Sequence, residues 1–137
     1  MNKETINLDK DISTVCITAK SFPDGVMAAY DELTKLVPNA KTRKIFGLSR
    51  PGKGTITYKA AAEEINSEEA KNLHLEEITI KKGKYISSII KDYMKNLTEF
   101  GKTFQELLTT PNLDPDGYCV EWYFNDNDVR CMVRVLQ

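Results

Sequence analysis

Apolar and polar positions alternate over residues 14–20, where Val15, Ile17 and Ala19 interleave with Thr14, Cys16 and Thr18, and this two-residue period predicts a strand. Residues 1–11 are polar with isolated apolar positions and are expected to form a partly ordered lead-in. After Pro23-Asp24-Gly25 the period lengthens: Val26, Met27, Tyr30, Leu33, Leu36 and Val37 recur at helical spacing until Pro38-Asn39 ends the helix. Residues 43–48 and 55–60 read as two strands joined by a Pro/Gly turn over 49–54. Residues 61–72, rich in Ala and Glu, fit a short helix or a charged loop.

The second half repeats that order. Residues 75–80 and 85–90 predict a hairpin turning at Lys81-Lys82-Gly83-Lys84. Thr98 has the position of a helix cap, and Phe100, Phe104, Leu107 and Leu108 form the apolar stripe of the helix it opens. Asp114-Pro115-Asp116-Gly117 is a turn, followed by strands over 118–124 and 129–136. Tyr30-Asp31-Glu32-Leu33 precedes Pro38-Asn39, and Phe104-Gln105-Glu106-Leu107 precedes Pro111-Asn112. The shared order predicts an α+β domain over 1–137, a tandem duplication of a strand-helix-strand-strand unit with halves at about 12–66 and 73–137.

Composition narrows the function. Nineteen Lys and Arg against twenty Asp and Glu give a net charge of −1, with no global field for nucleic acid or an anionic membrane. No apolar run approaches a membrane span, and the start lacks a secretory pattern, so a cytoplasmic location is expected. Cys16, Cys119 and Cys131 sit in apolar alternations without a C-x-x-C pair and read as buried, reduced thiols. His74 is the single histidine, so a His-rich zinc site and a Ser-His-Asp triad on any other histidine are excluded; no metal and no cofactor are expected.

Two apparent motifs reduce to turns. Residues 47–55 come within one position of the phosphate-loop pattern, but Gly54 stands where the magnesium-binding hydroxyl belongs, and strand-like Thr55-Ile56-Thr57-Tyr58 follows instead of a helix. The pairs Asp114 with Asp116 and Asp126 with Asp128 lack the spacing and final Glu of a calcium loop.

Tyr118-Cys119-Val120-Glu121-Trp122-Tyr123-Phe124 carries the chemistry. Alternation places Cys119, Glu121 and Tyr123 on one face and Tyr118, Val120, Trp122 and Phe124 on the other. On a solvated face Glu121 would be unremarked, or paired with Lys44, Arg130 or Arg134 across the strands. Beneath helices it would be desolvated and would have to find a cation or hold a proton. The second case describes a pocket floor for cationic or amphipathic aromatic ligands, with aromatic rings adding cation–π contacts.

Two tandem strand-helix-strand-strand units, the strand pair joined at Lys82-Gly83-Lys84-Tyr85, the Glu-x-Tyr at Glu121 to Tyr123 and the closing strand from Met132 to Leu136 resemble the gyrase-inhibitory-protein-like small-molecule-binding domain. The same domain is the effector-binding part of many AraC-type and MerR-type transcription regulators. The resemblance runs from about Thr14 to Leu136 and implies a pseudo-twofold antiparallel sheet, two helices on one face and a ligand cleft between them. It implies ligand-binding roles for Glu121 at the pocket base, Tyr123 beside it, Tyr58 from the first half, and Phe46 and Tyr30 as walls. Pro23-Asp24-Gly25 departs from the family's Gly-Pro-Tyr-like step, which puts the shape of the cleft entrance in question.

The resemblance thus implies a stand-alone effector- or drug-binding module, without direct contact to nucleic acid or membrane, in which a transcriptional role requires a separate protein partner. Two alternatives accompany it. One is a hydrolase of strained DNA-alkylating compounds, with Glu121 as general base and Tyr123 or Tyr58 as orienting donor. The other is an interaction module that inhibits a larger enzyme such as gyrase; a homodimer is open in either case.

Overall fold

The computed structural model describes residues 1–52 and 54–136; Lys53, in the turn and near-phosphate-loop stretch, lies outside the described residues, as does the final Gln137. Eight strands and three α-helices follow one another as β1 (Glu4–Leu8), β2 (Ile12–Thr18), α1 (Val26–Leu36), β3 (Ile45–Pro51), β4 (Ile56–Glu63), α2 (Glu69–Leu73), β5 (Glu76–Ile80), β6 (Gly83–Ile90), α3 (Glu99–Leu107), β7 (Cys119–Tyr123) and β8 (Val129–Arg134). All eight strands join one antiparallel sheet in the order β1-β6-β8-β7-β3-β4-β2-β5. The architecture is α+β, as the sequence pattern predicts.

The connections require the sheet to curl. β1 and β2 stand six places apart in the sheet order, which in a flat sheet would be about 29 Å. The link between them is only residues 9–11, a reach of at most about 14 Å. The β5 to β6 link, residues 81–82, imposes the same closure from the other side. Phe46, Leu48, Tyr85, Val120 and Met132 fill the concave face so formed, with Ile6 and Leu8 of β1 packed against them.

The lead-in is ordered in part, as expected, and the ordered part is a strand that local alternation does not predict. Glu4 to Leu8 pair with Ser87 to Gly83, a partner too distant in sequence for local alternation to reveal. α2 is also shorter than residues 61–72, because Ala61 to Glu63 continue β4. Thr98 precedes α3 as expected, yet its side chain makes no capping bond.

Both longer helices cover the other face. α1 buries Ala29 and Leu33 on Val15, Ile17, Ala60 and Ala62; the small alanines of β4 let the helix lie close. α3 buries Leu107 and half-buries Phe100 and Phe104 on Ile90, Val129, Cys131 and Val133. A Leu side chain removed from water in this way contributes about 2 kcal/mol. Cys16, Cys119 and Cys131 are free and buried, and His74 is exposed at the end of α2. No described helix is long and apolar enough to cross a membrane.

Candidate functional site

Across the middle of the sheet, on the helix-covered face, one row of paired residues reads Ile17, Ala60, Gly47, Glu121, Cys131, Ser88. Glu121 thus occupies a central strand between the footprints of α1 and α3, and it is 6% exposed. The residue opposite it, Gly47, has no side chain to fill that space. A Cβ there would collide with the Tyr58 hydroxyl and lie 2.6 Å from Glu121 Oε1. Glycine is what lets Tyr58, from β4, reach across β3 to β7.

Three phenols converge on this carboxyl. Tyr58 donates to Glu121 Oε1 at 2.7 Å and Tyr123 donates to the same oxygen at 2.5 Å. Tyr30, from α1, stands 2.8 Å from the Tyr58 hydroxyl and 2.9 Å from the Phe46 carbonyl. Lys44 is not among the described partners of Glu121; Arg130 is held by Glu4 and Ser87, and Arg134 by Asp114. Burial pushes the Glu121 carboxyl above its ordinary range, against the downward pull of the Tyr123 and Tyr58 bonds. The Tyr30 and Tyr58 hydroxyls are likewise pushed well up by burial, and that of Tyr123 by burial and then by the charge of Glu121. Burial raises the Cys119 thiol to about 11, with Glu121 adding to it.

Four of the five residues singled out in the sequence therefore meet with their side chains. Phe46 is the exception. Its side chain turns to the concave face, fully buried against Trp122 at 6.1 Å between ring centroids, and it gives the cluster only its carbonyl oxygen. The reason is strand parity: Gly47 pairs with Glu121, so Phe46 must point away, as Trp122 does. Phe46 is not a wall of the helix-side cleft. Gly47 is a functional position that the motif reading does not reach; its signal in the sequence is a glycine between two strand residues, which marks close approach of a neighbour.

A cleft of about 620 Å³ opens over the cluster. Val26, Met27 and Tyr30 line it from α1, Phe100 from α3, Tyr93, Met94 and Leu97 from the segment before α3, and Ile45, Tyr123 and Phe124 from the sheet side. Tyr123 stands edge-on to Tyr30 at 6.1 Å and to Tyr93 at 5.1 Å, so the floor is a set of crossed aromatic rings. Met27, Met94, Leu97 and Phe124 are exposed on its rim. Glu121 lies one layer down, behind Tyr30 and Tyr123. Among the described residues no cluster of three or more His, Cys, Asp or Glu is placed to hold a metal.

No family model matches the chain, and no curated protein does. Solved structures do. SAV2435 bound to tetraphenylphosphonium matches with a TM-score of 0.65 at 15% identity, over 99% of this chain and 94% of that one. The C-terminal domain of EcmrR, a protein also solved in a complex with DNA, matches with a TM-score of 0.65 at 10% identity, over 99% and 98%. This is the gyrase-inhibitory-protein-like fold. A hydrolase from Listeria innocua matches with a TM-score of 0.58 at 10% identity, over 98% of this chain and 92% of that one.

Proposed function

We propose that this chain is a small-molecule-binding module that takes a hydrophobic, cationic aromatic compound in the cleft between α1 and α3. The observation that carries the reading is Glu121, a buried carboxyl held by two phenols with no described cation beside it. Such a group attracts positive charge strongly, because little water screens it. The ring faces of Tyr30, Tyr93 and Tyr123 add cation–π attraction, and Met27 and Met94 supply adaptable apolar surface. That SAV2435, with the same fold, was solved with tetraphenylphosphonium supports this ligand class.

Tetraphenylphosphonium is accordingly the first probe. A hundredfold excess over its dissociation constant raises native-state stability by about 2.7 kcal/mol, read as a thermal shift. The shift is expected in the wild type and largely lost in a folded Glu121→Gln variant. Equal shifts in both would remove Glu121 from the binding reading, and none in either would move the reading to a protein-interaction module.

Hydrolysis is the second reading, favoured by the raised carboxyl flanked by oriented phenols, an arrangement suited to general acid–base work. The Listeria innocua hydrolase of the same fold supports it. Chromatography after incubation with a strained alkylating compound separates the two: loss of the compound to its hydrolysed product beyond a Glu121→Gln control means hydrolysis, and unchanged compound means binding alone.

A further inference from the structure

The cluster contains four short oxygen–oxygen contacts: Phe46 carbonyl to Tyr30 at 2.9 Å, Tyr30 to Tyr58 at 2.8 Å, Tyr58 to Glu121 at 2.7 Å and Glu121 to Tyr123 at 2.5 Å. Each hydrogen bond needs one proton between its oxygens, and a carbonyl brings none. Three phenols supply three protons for four bonds. With Glu121 ionised, Tyr58 and Tyr123 both donate to it, and the single Tyr30 hydrogen must serve Phe46 and Tyr58 at once. A proton on Glu121 removes the shortage. Glu121 then donates to Tyr58, Tyr58 to Tyr30 and Tyr30 to the Phe46 carbonyl, while Tyr123 continues to donate to Glu121.

The surroundings agree with that count. Titratable groups facing Glu121 are Tyr30 from α1, Tyr58 from β4, Tyr123 and Cys119 on β7 and Cys131 from β8, with Tyr93 beyond them at the cleft. Every one of these is a phenol or thiol, neutral near pH 7. The nearest charges of the cleft wall are Lys41, Asp126 and Arg43, the last already bound by Glu69.

Resting on the binding reading above, we propose that the empty site holds Glu121 protonated and that a hydrophobic cation enters in exchange for that proton. The Glu121 O–H bond breaks, the proton passes to solvent, and the carboxylate left behind balances the incoming charge. The buried site stays neutral before and after. Because Tyr30 and Tyr123 lie between cleft and carboxyl, the preferred ligands carry delocalised charge and need no hydrogen-bond acceptor, unlike a compact primary ammonium.

Titration calorimetry with tetraphenylphosphonium, in two buffers of different ionisation enthalpy from pH 5 to pH 8, reads the exchange. Below the pKa of the empty site, about one proton is released per cation and affinity falls about tenfold per pH unit of acidification. Glu121→Gln binds more weakly, with no proton release and a flat pH profile. Glu64, pushed up to about 7 first by burial and then by Glu77, also titrates in this range, but it is bonded to the Ala70 amide at the far end of β4, and the Glu121→Gln comparison isolates the cluster. Should that variant not fold, Tyr58→Phe removes a donor to the carboxylate and shifts the wild-type profile to higher pH.

Binding with constant affinity and no proton release across this range overturns the exchange and leaves the binding reading intact. Absence of any binding overturns the binding reading. The protonated empty site is then judged alone, by an infrared carboxylic-acid band at pH 6 that is present in the wild type and missing from Glu121→Gln. Absence of that band from the wild type overturns the proposal.

Discussion

Glu69 and Glu121 are equally shielded from solvent, each 6% exposed, but Glu69 lies near the surface beneath its own partners and Glu121 lies deep, and their environments are opposite. Arg43 grips Glu69 with two nitrogens at 2.6 and 2.7 Å while also bonding the carbonyls of Pro38 and Glu63, and this holds the Glu69 carboxyl below its usual range. Glu121 meets neutral hydroxyls, and burial pushes it the other way. Burial alone therefore does not mark a functional acid. On the binding reading proposed above, the acid without a counter-charge is the one that answers to a ligand, whereas the charge-paired acid is a joint between α1, β4 and α2.

The largest expected effect breaks the satisfied member. Arg43→Met leaves Glu69 buried without its cation and should cost about 3 kcal/mol in chemical denaturation. A loss under about 1 kcal/mol would show that Glu69 escapes to solvent and that the two acids were never comparable. Next is Gly47→Ala, whose Cβ would overlap the Tyr58 hydroxyl and crowd Glu121. Overpacking of this kind costs about 1–3 kcal/mol. The same variant should lose tetraphenylphosphonium binding, because Tyr58 can no longer lie across β3.

pH sharpens the contrast, because the two acids are shifted in opposite directions. The folded-state value of Glu121 lies above its unfolded one, so the native protein holds the extra proton between the two, and stability falls as pH rises through that window. Glu69 is the reverse: its stabilisation is present above the unfolded value and disappears as pH falls through the folded one. Melting curves of Glu121→Gln should gain on the wild type as pH rises, and those of Glu69→Gln should lose. Parallel pH profiles would erase the distinction. Smallest is Thr98→Ala, expected within about 0.5 kcal/mol of the wild type because no capping bond is lost.

Local periodicity made most of the strands and both longer helices legible, since each buries one face and polar residues mark the other. β1 was not, because only its pairing with β6 explains it. Glu121 stood out as a carboxylate inside an aromatic run, and Tyr123 and Tyr58 followed from strand parity and the resemblance. Phe46 did not, because strand parity, set by the pairing of Gly47 with Glu121, turns its side chain to the opposite face. The Arg43–Glu69 pair joins a strand approach to a helix across 26 positions, a tertiary relation that no spacing rule carries. In the short ambiguous segment, Glu69 looked like one more solvated charge.

The crossing of β1 and β5 has a bearing on how the chain reaches this state. Each strand pairs with the half of the chain to which it does not belong: β1 completes the edge beyond β6, and β5 the edge beyond β2. Neither half can assemble its own margin alone. Chain closure must precede most of the reward of pairing, so folding is governed by long-range search and is slow for its size. Two fragments severed between α2 and β5 would each present an unfilled edge that the other's strand fits. They are expected to reassemble as complementing partners, and a ligand seated at their seam would act as a clasp between them.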